Sequence, residues 1–135
     1  MTLLKEIGPA LAFRPEDLDA TLEAMTQAIP GLRVLVIGDQ NGLPIASRTK
    51  GTRSIAATAV ATLIVTAAGE LAETLELREF SDVLVEGPTW KVFVRRLRGG
   101  FTFMGVLDGA VNLGLVRIEI ERRCPQIEAA LGGIV

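Results

Sequence analysis

Few side chains in this sequence could carry out chemistry. There is no histidine and no tyrosine, so the commonest general base and metal ligand is absent. The single cysteine, Cys124, cannot build a zinc site alone, and no group of acidic residues has metal-ligand spacing. We therefore expect no catalytic residue, no metal and no cofactor, and a protein that is not an enzyme.

Two aspartates and the cysteine remain as candidates. Asp39 and Asp108 both follow apolar runs that predict strands, where catalytic acids often occur. Aspartate is equally common there because it accepts hydrogen bonds from turn amides, and neither residue has a partner base. Cys124 lies on the apolar side of the last predicted helix, which favours a buried structural thiol over a reactive one.

The stretch VLVIGDQNG, residues 34–42, has the appearance of a phosphate-binding loop after a strand. It lacks G-x-G-x-x-G spacing, and the sequence contains no G-x-x-x-x-G-K-[ST] motif. Asn41-Gly42 instead favours a hairpin turn, because both residues tolerate positive φ. A nucleotide site on this chain is therefore not expected.

Basic residues cluster in TWKVFVRRLR, residues 89–98. Strand alternation puts Lys91, Arg95 and Leu97 on one face of this segment, opposite Val92 and Val94. Two interpretations are open. The charges protect a solvated sheet edge, or they form a docking site for an acidic partner or a phosphate.

The composition describes one globular domain without a nucleic-acid signature. The 135 residues carry a net charge of −2 and a pI near 5.2, whereas nucleic-acid-binding proteins usually have a basic field. A single cysteine excludes an internal disulfide and favours a reducing, cytoplasmic location. The N-terminus lacks the pattern of a signal peptide. We expect an arm over residues 1–15 and one domain over residues 16–135.

The elements that position these residues follow from periodicity, turn signals and caps. The prediction is a helix from Pro15 to residues 29–31, strands at 32–39 and 43–48, a long helix from Ser54 to about Leu77, strands at 80–87, 89–98 and 101–107, and a last helix capped by Asn112. Pro44 should lie at the start or edge of its strand, and Pro125 should kink or interrupt the last helix. Short strand connections predict an α/β fold of the α+β type, with a mostly antiparallel five-stranded sheet and helices on both faces.

The long predicted helix is unusual because its residues from Ser54 to Gly69 carry no charge. A membrane span needs about 20 mostly apolar residues, so the threonines and the glycine favour a buried helix instead. On a helical wheel, Val60, Ile64, Leu71 and Leu75 form a bulky stripe, which we expect to cover the sheet. A neighbouring stripe of small residues would pack on a second copy in a homodimer. This stripe consists of Ala57, Ala61, Ala68 and Ala72.

A third line on this helix is polar. It consists of Thr58, Thr62, Thr66, Glu70 and Glu73. These residues would then face outward as an uncharged, flat surface that suits a protein partner. The alternative is that the threonine hydroxyls are solvated or bond back to the helix backbone.

Several segments together resemble the Roadblock domain, the family of dynein roadblock light chains and of a bacterial gliding regulator that acts on a Ras-like GTPase. They are VLVIGDQNGLPIAS, the alanine-rich helix, GFTFMGVLD and NLGLVRIEIERR, and the resemblance covers about residues 16–124. It implies dimerisation through the third strand, which adds Val83 and Val85 to the expected dimer interface, and side-by-side long helices. It also implies a platform for small Ras-like GTPases, and it supplies no catalytic residue.

Two functions follow as hypotheses. The first is a non-catalytic dimeric module that binds a small Ras-like GTPase and modulates its GTP hydrolysis. The second is an adaptor subunit of a larger complex that contacts no GTPase. In both, the partners are a second copy and other proteins, with no nucleic acid and no direct membrane insertion.

Overall fold

The computed structural model describes residues 13–48 and 54–132. Within them the elements follow the predicted order of helix, hairpin, helix, meander and helix. They are α1 (Pro15–Ala28), β1 (Leu32–Gly38), β2 (Pro44–Arg48), α2 (Ser54–Thr74), β3 (Val83–Glu86), β4 (Trp90–Arg96), β5 (Thr102–Asp108) and α3 (Leu113–Ala130), with a 3-10 turn at Arg98–Gly100.

The strands form one sheet in the order β2-β1-β5-β4-β3, and every described pair is antiparallel. The predicted five-stranded antiparallel fold is confirmed. Pro44 begins the edge strand β2, where a missing backbone donor costs no ladder hydrogen bond. Gly99 and Gly100 have φ of 83° and 82°, which glycine adopts without strain, and they form the turn into β5.

Helices α1 and α3 pack on one face of the sheet. Leu18, Leu22 and Met25 are fully buried, as the spacing of the apolar residues predicts. They share a core cluster with Phe93 and Phe103 of the sheet, whose rings meet edge to face at 6.4 Å between centroids. Asn112 caps α3 by accepting hydrogen bonds from the amides of Gly114 and Leu115.

Among the described residues, α2 is the one helix that covers the opposite face. A smaller cluster joins Ala61 and Val65 of the helix to Val36, Val94 and Met104 of the sheet. The prediction of helices on both faces of the sheet is therefore confirmed. In the described part of the chain, one of these faces is covered by a single helix.

Three predicted boundaries are corrected. Helix α2 ends at Thr74 rather than near Leu77, because Glu76 adopts a φ of 57° and ends the helical path. β3 begins at Val83 rather than at residue 80. Pro125 does not interrupt α3, which continues to Ala130.

The predicted arm, residues 1–15, lies mainly outside the described residues. At its end Pro15 is already helical, at the first position of α1. The Arg14 amide donates a hydrogen bond to the carbonyl of Ala130 at 2.8 Å, so Arg14 belongs with the domain.

Candidate interaction surfaces

The threonine line on α2 does not face outward as predicted. Thr58 is 2 % exposed and lies against Gly38 of the sheet. Its hydroxyl donates to the carbonyl of Ser54, and that of Thr62 donates to the carbonyl of Thr58 at 2.9 Å. The hydroxyls are therefore satisfied within the helix, which removes most of the cost of burying them. The outward assignment of Thr58 is wrong, whereas Thr62 is half-buried.

The other members of that line remain accessible. Thr66 is exposed, and its hydroxyl accepts a hydrogen bond from Arg96 at 3.1 Å. Glu70 and Glu73 are also exposed. These three residues stay available to a partner, on and beside the outer side of the helix.

The small-residue stripe, predicted to meet a second copy, instead packs on this chain's own sheet. Ala61 is 2 % exposed, and Ala57 packs against the same cluster. Ala68 and Ala72 are half-buried. The sheet already supplies bulk through its valines and Met104, so small helix residues allow the close approach that good packing requires. The prediction that Ala61 contacts a second copy is wrong.

The bulky stripe is exposed as a consequence. Val60, Leu71 and Leu75 are 53 %, 60 % and 58 % exposed and Ile64 is half-buried, so the predicted packing of this stripe on the sheet is wrong. Leu63, beside the stripe, is 67 % exposed. A contiguous line of exposed apolar side chains more often belongs to an interaction surface than faces bare solvent. In the described part of the chain, α2 is also the one helix long and apolar enough to cross a membrane, with a mean hydropathy of 1.8. Since one side of it packs on the sheet, we interpret the exposed side as a protein interface.

Two rows of side chains cross the sheet beneath α2. The covered row pairs Val36, Met104, Val94 and Val83 across neighbouring strands. The outer valine row is its neighbour and pairs Val34, Val106, Val92 and Val85 in the same way. The three interior members of the covered row are buried, whereas the outer valine row is only half-buried and Val85 is 37 % exposed.

Helix α2 lies to one side of this face. Its flank with Thr66 and Gly69 lines a cavity with Phe80 and Arg96, at the end of the sheet where β4 stops. From the helical wheel we infer that the opposite flank faces the outer valine row and Trp90, at the start of β4. We call this combination the apolar notch. Its wall is Val60, Ile64 and Leu71, and its floor is the outer valine row with Trp90, which is 40 % exposed.

The free edge of the sheet adjoins the notch. β3 pairs with β4 along one side, and its other side has no strand partner among the described residues. Val85 belongs both to this edge and to the notch. A second copy that pairs with this edge would extend the sheet.

Asp39 and Asp108, the two acids considered as catalytic candidates, make structural contacts. Asp39 Oδ1 accepts hydrogen bonds from the amides of Asn41 and Leu43 at 2.8 and 3.0 Å, which stabilises the β1–β2 turn. Asp108 forms a two-contact ion pair with Arg33 at 2.8 and 3.0 Å, and this hydrogen bonding lowers the pKa of the Asp108 carboxyl. In the described ranges no group of three or more histidine, cysteine, aspartate or glutamate residues could hold a metal ion.

The basic segment lies inside the sheet, because β4 runs between β5 and β3. The solvated-edge interpretation is therefore wrong for Arg95, which is 8 % exposed. Arg95 donates hydrogen bonds to Asp82 and Glu121, and near it Cys124 Sγ lies 3.8 Å away. Burial opposes its charge, but the hydrogen bonds that Arg95 donates to these two carboxylates outweigh burial and raise the pKa of Arg95. Burial also raises the pKa of the Cys124 thiol, in agreement with a structural role.

A second apolar surface lies on the other face of the sheet. A groove of about 600 Å³ runs between the end of α1 and the start of α3, lined by Ile29, Val111, Leu115 and Ile118 among others. Leu115 and Ile118 are 64 % and 55 % exposed. The periodicity of α3 alone did not single out this groove, because it depends on how two helices meet.

Comparison with known proteins places this geometry in a family. The sequence profile of the Roadblock/LC7 domain matches residues 18–107, well over half of the chain. No curated protein sequence matches significantly.

Solved structures of the same fold are numerous. Myxococcus xanthus MglB superposes with a TM-score of 0.80 at 20 % identity, over 88 % of this chain and 98 % of that one. An MglB with a tetrameric arrangement gives 0.80 at 17 % identity, over 90 % and 92 % of the two chains. A Roadblock/LC7 domain from Streptomyces avermitilis gives 0.79 at 15 % identity, over 86 % and 98 %. The expected resemblance is confirmed, and the chain belongs to the Roadblock/LC7 domain family.

Proposed function

We propose that this chain is a non-catalytic, cytoplasmic dimeric module that docks a small Ras-like GTPase on its paired α2 helices. The observation that carries the proposal is the exposed apolar wall of the notch, together with the edge of β3 that has no strand partner among the described residues. A soluble domain that leaves Val60, Leu63 and Leu71 exposed on one helix loses hydrophobic stabilisation unless another chain covers them. Family membership and the similarity of fold to MglB support the same assembly.

Dimerisation is the first step. Pairing of two β3 edges extends the ladder of hydrogen bonds and brings Val85 of each copy close to the twofold axis. Each α2 then lies beside the other over the notch, so Val60 and Leu71 become buried. The expected dimer interface is therefore β3 with Val85, the notch wall and Trp90, in place of the alanine stripe.

The GTPase docks on what dimerisation leaves exposed. The outer ridge of α2 lies opposite the buried Thr58, Ala61 and Val65, and it consists of Ala56, Ala59, Leu63 and Glu70. Three of these side chains are small or apolar, so a partner can approach closely and use Leu63 as an anchor. Thr66 and Glu73 lie beside this ridge, and Glu70 belongs to it. The proposed docking surface therefore keeps three of the five polar residues that the sequence predicted to bind a partner.

The test combines mass and affinity measurements. Light scattering should give about twice the chain mass of 14.4 kDa. Affinity capture from the native cell, in GDP and in a non-hydrolysable GTP analogue, should enrich a small GTPase in a nucleotide-dependent manner. The purified chain alone should hydrolyse no GTP, and a hydrolysis rate that scales with its concentration would contradict a non-catalytic role.

A matched pair of variants locates the docking surface. Leu63→Arg on the ridge should abolish capture without changing the dimer. Leu115→Arg alters an equally exposed leucine on the other face of the sheet and should leave capture intact. Loss of capture in Leu115→Arg but not in Leu63→Arg would move the site to α3.

The alternative is an adaptor subunit of a larger complex that contacts no GTPase. The α1–α3 groove favours it, because Leu115 and Ile118 give the dimer a second apolar surface on each outer face. Stable co-purification with a protein that is not a GTPase, and its loss in Leu115→Arg, would support this function.

A further inference from the structure

Asp82 is a buried carboxylate at the point where the chain enters the edge strand β3. Its side chain is 5 % exposed. Arg95 Nη2 of β4 donates to Oδ2 at 3.1 Å, and Arg117 Nη1 of α3 donates to both carboxylate oxygens at 3.0 Å. The residue just before the edge strand is thus tied to the neighbouring strand and to the helix beneath the sheet.

The two arginines are themselves fixed. Both guanidinium groups lie 5.6 Å from the centroid of the Phe93 ring, within the range of a cation–π contact. Phe93 is fully buried and pairs across the ladder with Leu84 of β3. Glu121 takes a further hydrogen bond from Arg95 at 2.7 Å, which balances the second positive charge. Asp82 therefore binds two arginines that also contact Phe93, and one of them, Arg95, is further held by Glu121.

Apart from its ladder with β4 and the packing of Val83 on the α2-side cluster, β3 has few contacts with the domain. The strand has four residues, all of them half-buried or exposed. On the α2 face its approach is anchored by Phe80, which packs on the cluster of Val36, Ala61 and Met104. Asp82 provides the matching anchor on the α3 face. The segment between α2 and Phe80 is exposed and forms no strand pairing.

We propose that Asp82 is the positioning residue of the dimer edge: its contacts with Arg95 and Arg117 hold β3 in the plane of the sheet and set the affinity of the edge for a second copy. This inference rests on the dimer described under Proposed function. An edge strand that is already ordered binds with a smaller loss of conformational entropy than one that must be ordered on association. The contact therefore acts on dimerisation through β3, without touching the partner.

The test compares two acid-to-amide changes in one cluster. Asp82→Asn removes the charge that holds β3, whereas Glu121→Gln removes a charge that binds the same Arg95 but does not contact β3. Sedimentation should show the dimer dissociation constant rising at least tenfold in Asp82→Asn and less than about threefold in Glu121→Gln. Hydrogen exchange of the protected β3 amides should accelerate at least tenfold in Asp82→Asn, with the β5 amides unchanged.

Two further variants separate positioning from general stability. Arg117→Gln alters a half-exposed partner of Asp82 and should raise the dissociation constant of the dimer. The double variant Asp82→Asn/Arg117→Gln should dimerise no more weakly than Asp82→Asn alone, because both changes remove the same contact. Met25→Ala weakens the core between α1 and the sheet without altering a contact of Asp82, and it should leave the dissociation constant within twofold. If Asp82→Asn left dimer affinity within twofold of the native chain, or accelerated exchange equally in every strand, the inference would fail. A native chain that is monomeric would instead overturn the proposed dimer itself.

Discussion

The methyl group of Thr58 occupies the space above Gly38 that a side chain at residue 38 would need. A Cβ built at Gly38 would overlap Thr58 Cγ2, so the helix and the sheet approach each other through a glycine and a threonine. This contact fixes which side of α2 faces inward. It also explains why Thr58 is buried although its side chain is polar.

Gly38→Ala should destabilise the protein by about 1–3 kcal/mol, because one added carbon in a packed contact forces the helix or the strand to shift. Thr58→Ser deletes the methyl group, keeps the hydroxyl bond to Ser54, and should cost under about 1.5 kcal/mol. In the Thr58→Ser background, Gly38→Ala should cost less than in the native chain. Urea unfolding of the four proteins measures this coupling, and additive losses would contradict the contact.

The orientation of α2 makes a second prediction, in which two apolar positions on one helix respond differently to charge. Ala61→Glu places an unpaired carboxylate among Val36, Val94 and Met104 and should cost about 3–5 kcal/mol, enough to unfold a marginal domain. Leu71→Arg alters a side chain that is 60 % exposed and should leave the thermal midpoint of the monomer nearly unchanged while weakening the dimer. Circular dichroism and light scattering distinguish the two. A folded Ala61→Glu monomer would restore the orientation inferred from the sequence.

The sequence predicted the element order, the sheet and the division of helices between its faces, because strand alternation, Asn112 and the turn glycines are local signals. It did not predict the rotation of α2. A helical wheel ranks faces by the size of their side chains, and it places Leu71 inward on that basis. The actual rotation depends on the sheet, where Val36 and Met104 already fill the space and Gly38 admits a threonine.

The Asp82 cluster was also outside the reach of sequence patterns. Asp82, Arg95 and Arg117 come from three separate segments, and their pairing depends on the order of β3, β4 and α3 in space. The basic segment around Arg95 could be recognised in the sequence, but the acidic residues that pair with Arg95 could not. Alternation did place Lys91 and Arg95 on the face opposite Val92 and Val94, as the structure has them.

The end of α2 gives a third prediction. Glu76 has a φ of 57°, its amide bonds to the carbonyl of Glu73, and the amide of Leu77 bonds to the carbonyl of Ala72. This hydrogen-bond pattern is a Schellman motif, in which glycine is the usual residue at the left-handed position. Glu76→Gly should stabilise the protein by up to about 1 kcal/mol, because it removes the strain of a side chain at positive φ.

The same substitution within the helix is the control. Glu70→Gly should destabilise the protein by about 1 kcal/mol, since Glu70 is exposed and lies in regular helix. Thermal unfolding should therefore shift in opposite directions for two Glu→Gly changes in one helix. Equal losses in both would show that Glu76 is not held in the left-handed conformation.

The buried thiol makes the last prediction, which concerns alkaline pH. Burial raises the pKa of Cys124, helped by the carboxylates of Glu128 and Glu121 and partly opposed by the Arg95 guanidinium. The folded state thus keeps its thiol proton at a pH where the unfolded chain, with an ordinary pKa of about 8.5, has lost it. Because the folded state binds more protons in that window, stability should be fully present below about pH 8.5 and should fall as pH rises above it, by at most about 1.4 kcal/mol per pH unit.

Urea unfolding in reductant between pH 7 and 10 measures this slope, and Cys124→Ala should flatten it while costing some stability at pH 7 through the lost sulfur contacts. The sequence has no histidine or tyrosine to add a competing titration in this window. A thiol reagent at pH 7.5 gives an independent check: it should label Cys124 slowly in the native chain and rapidly in denaturant. Rapid native labelling together with a pH slope unchanged by Cys124→Ala would place the thiol at the surface and contradict its packing beneath Arg95.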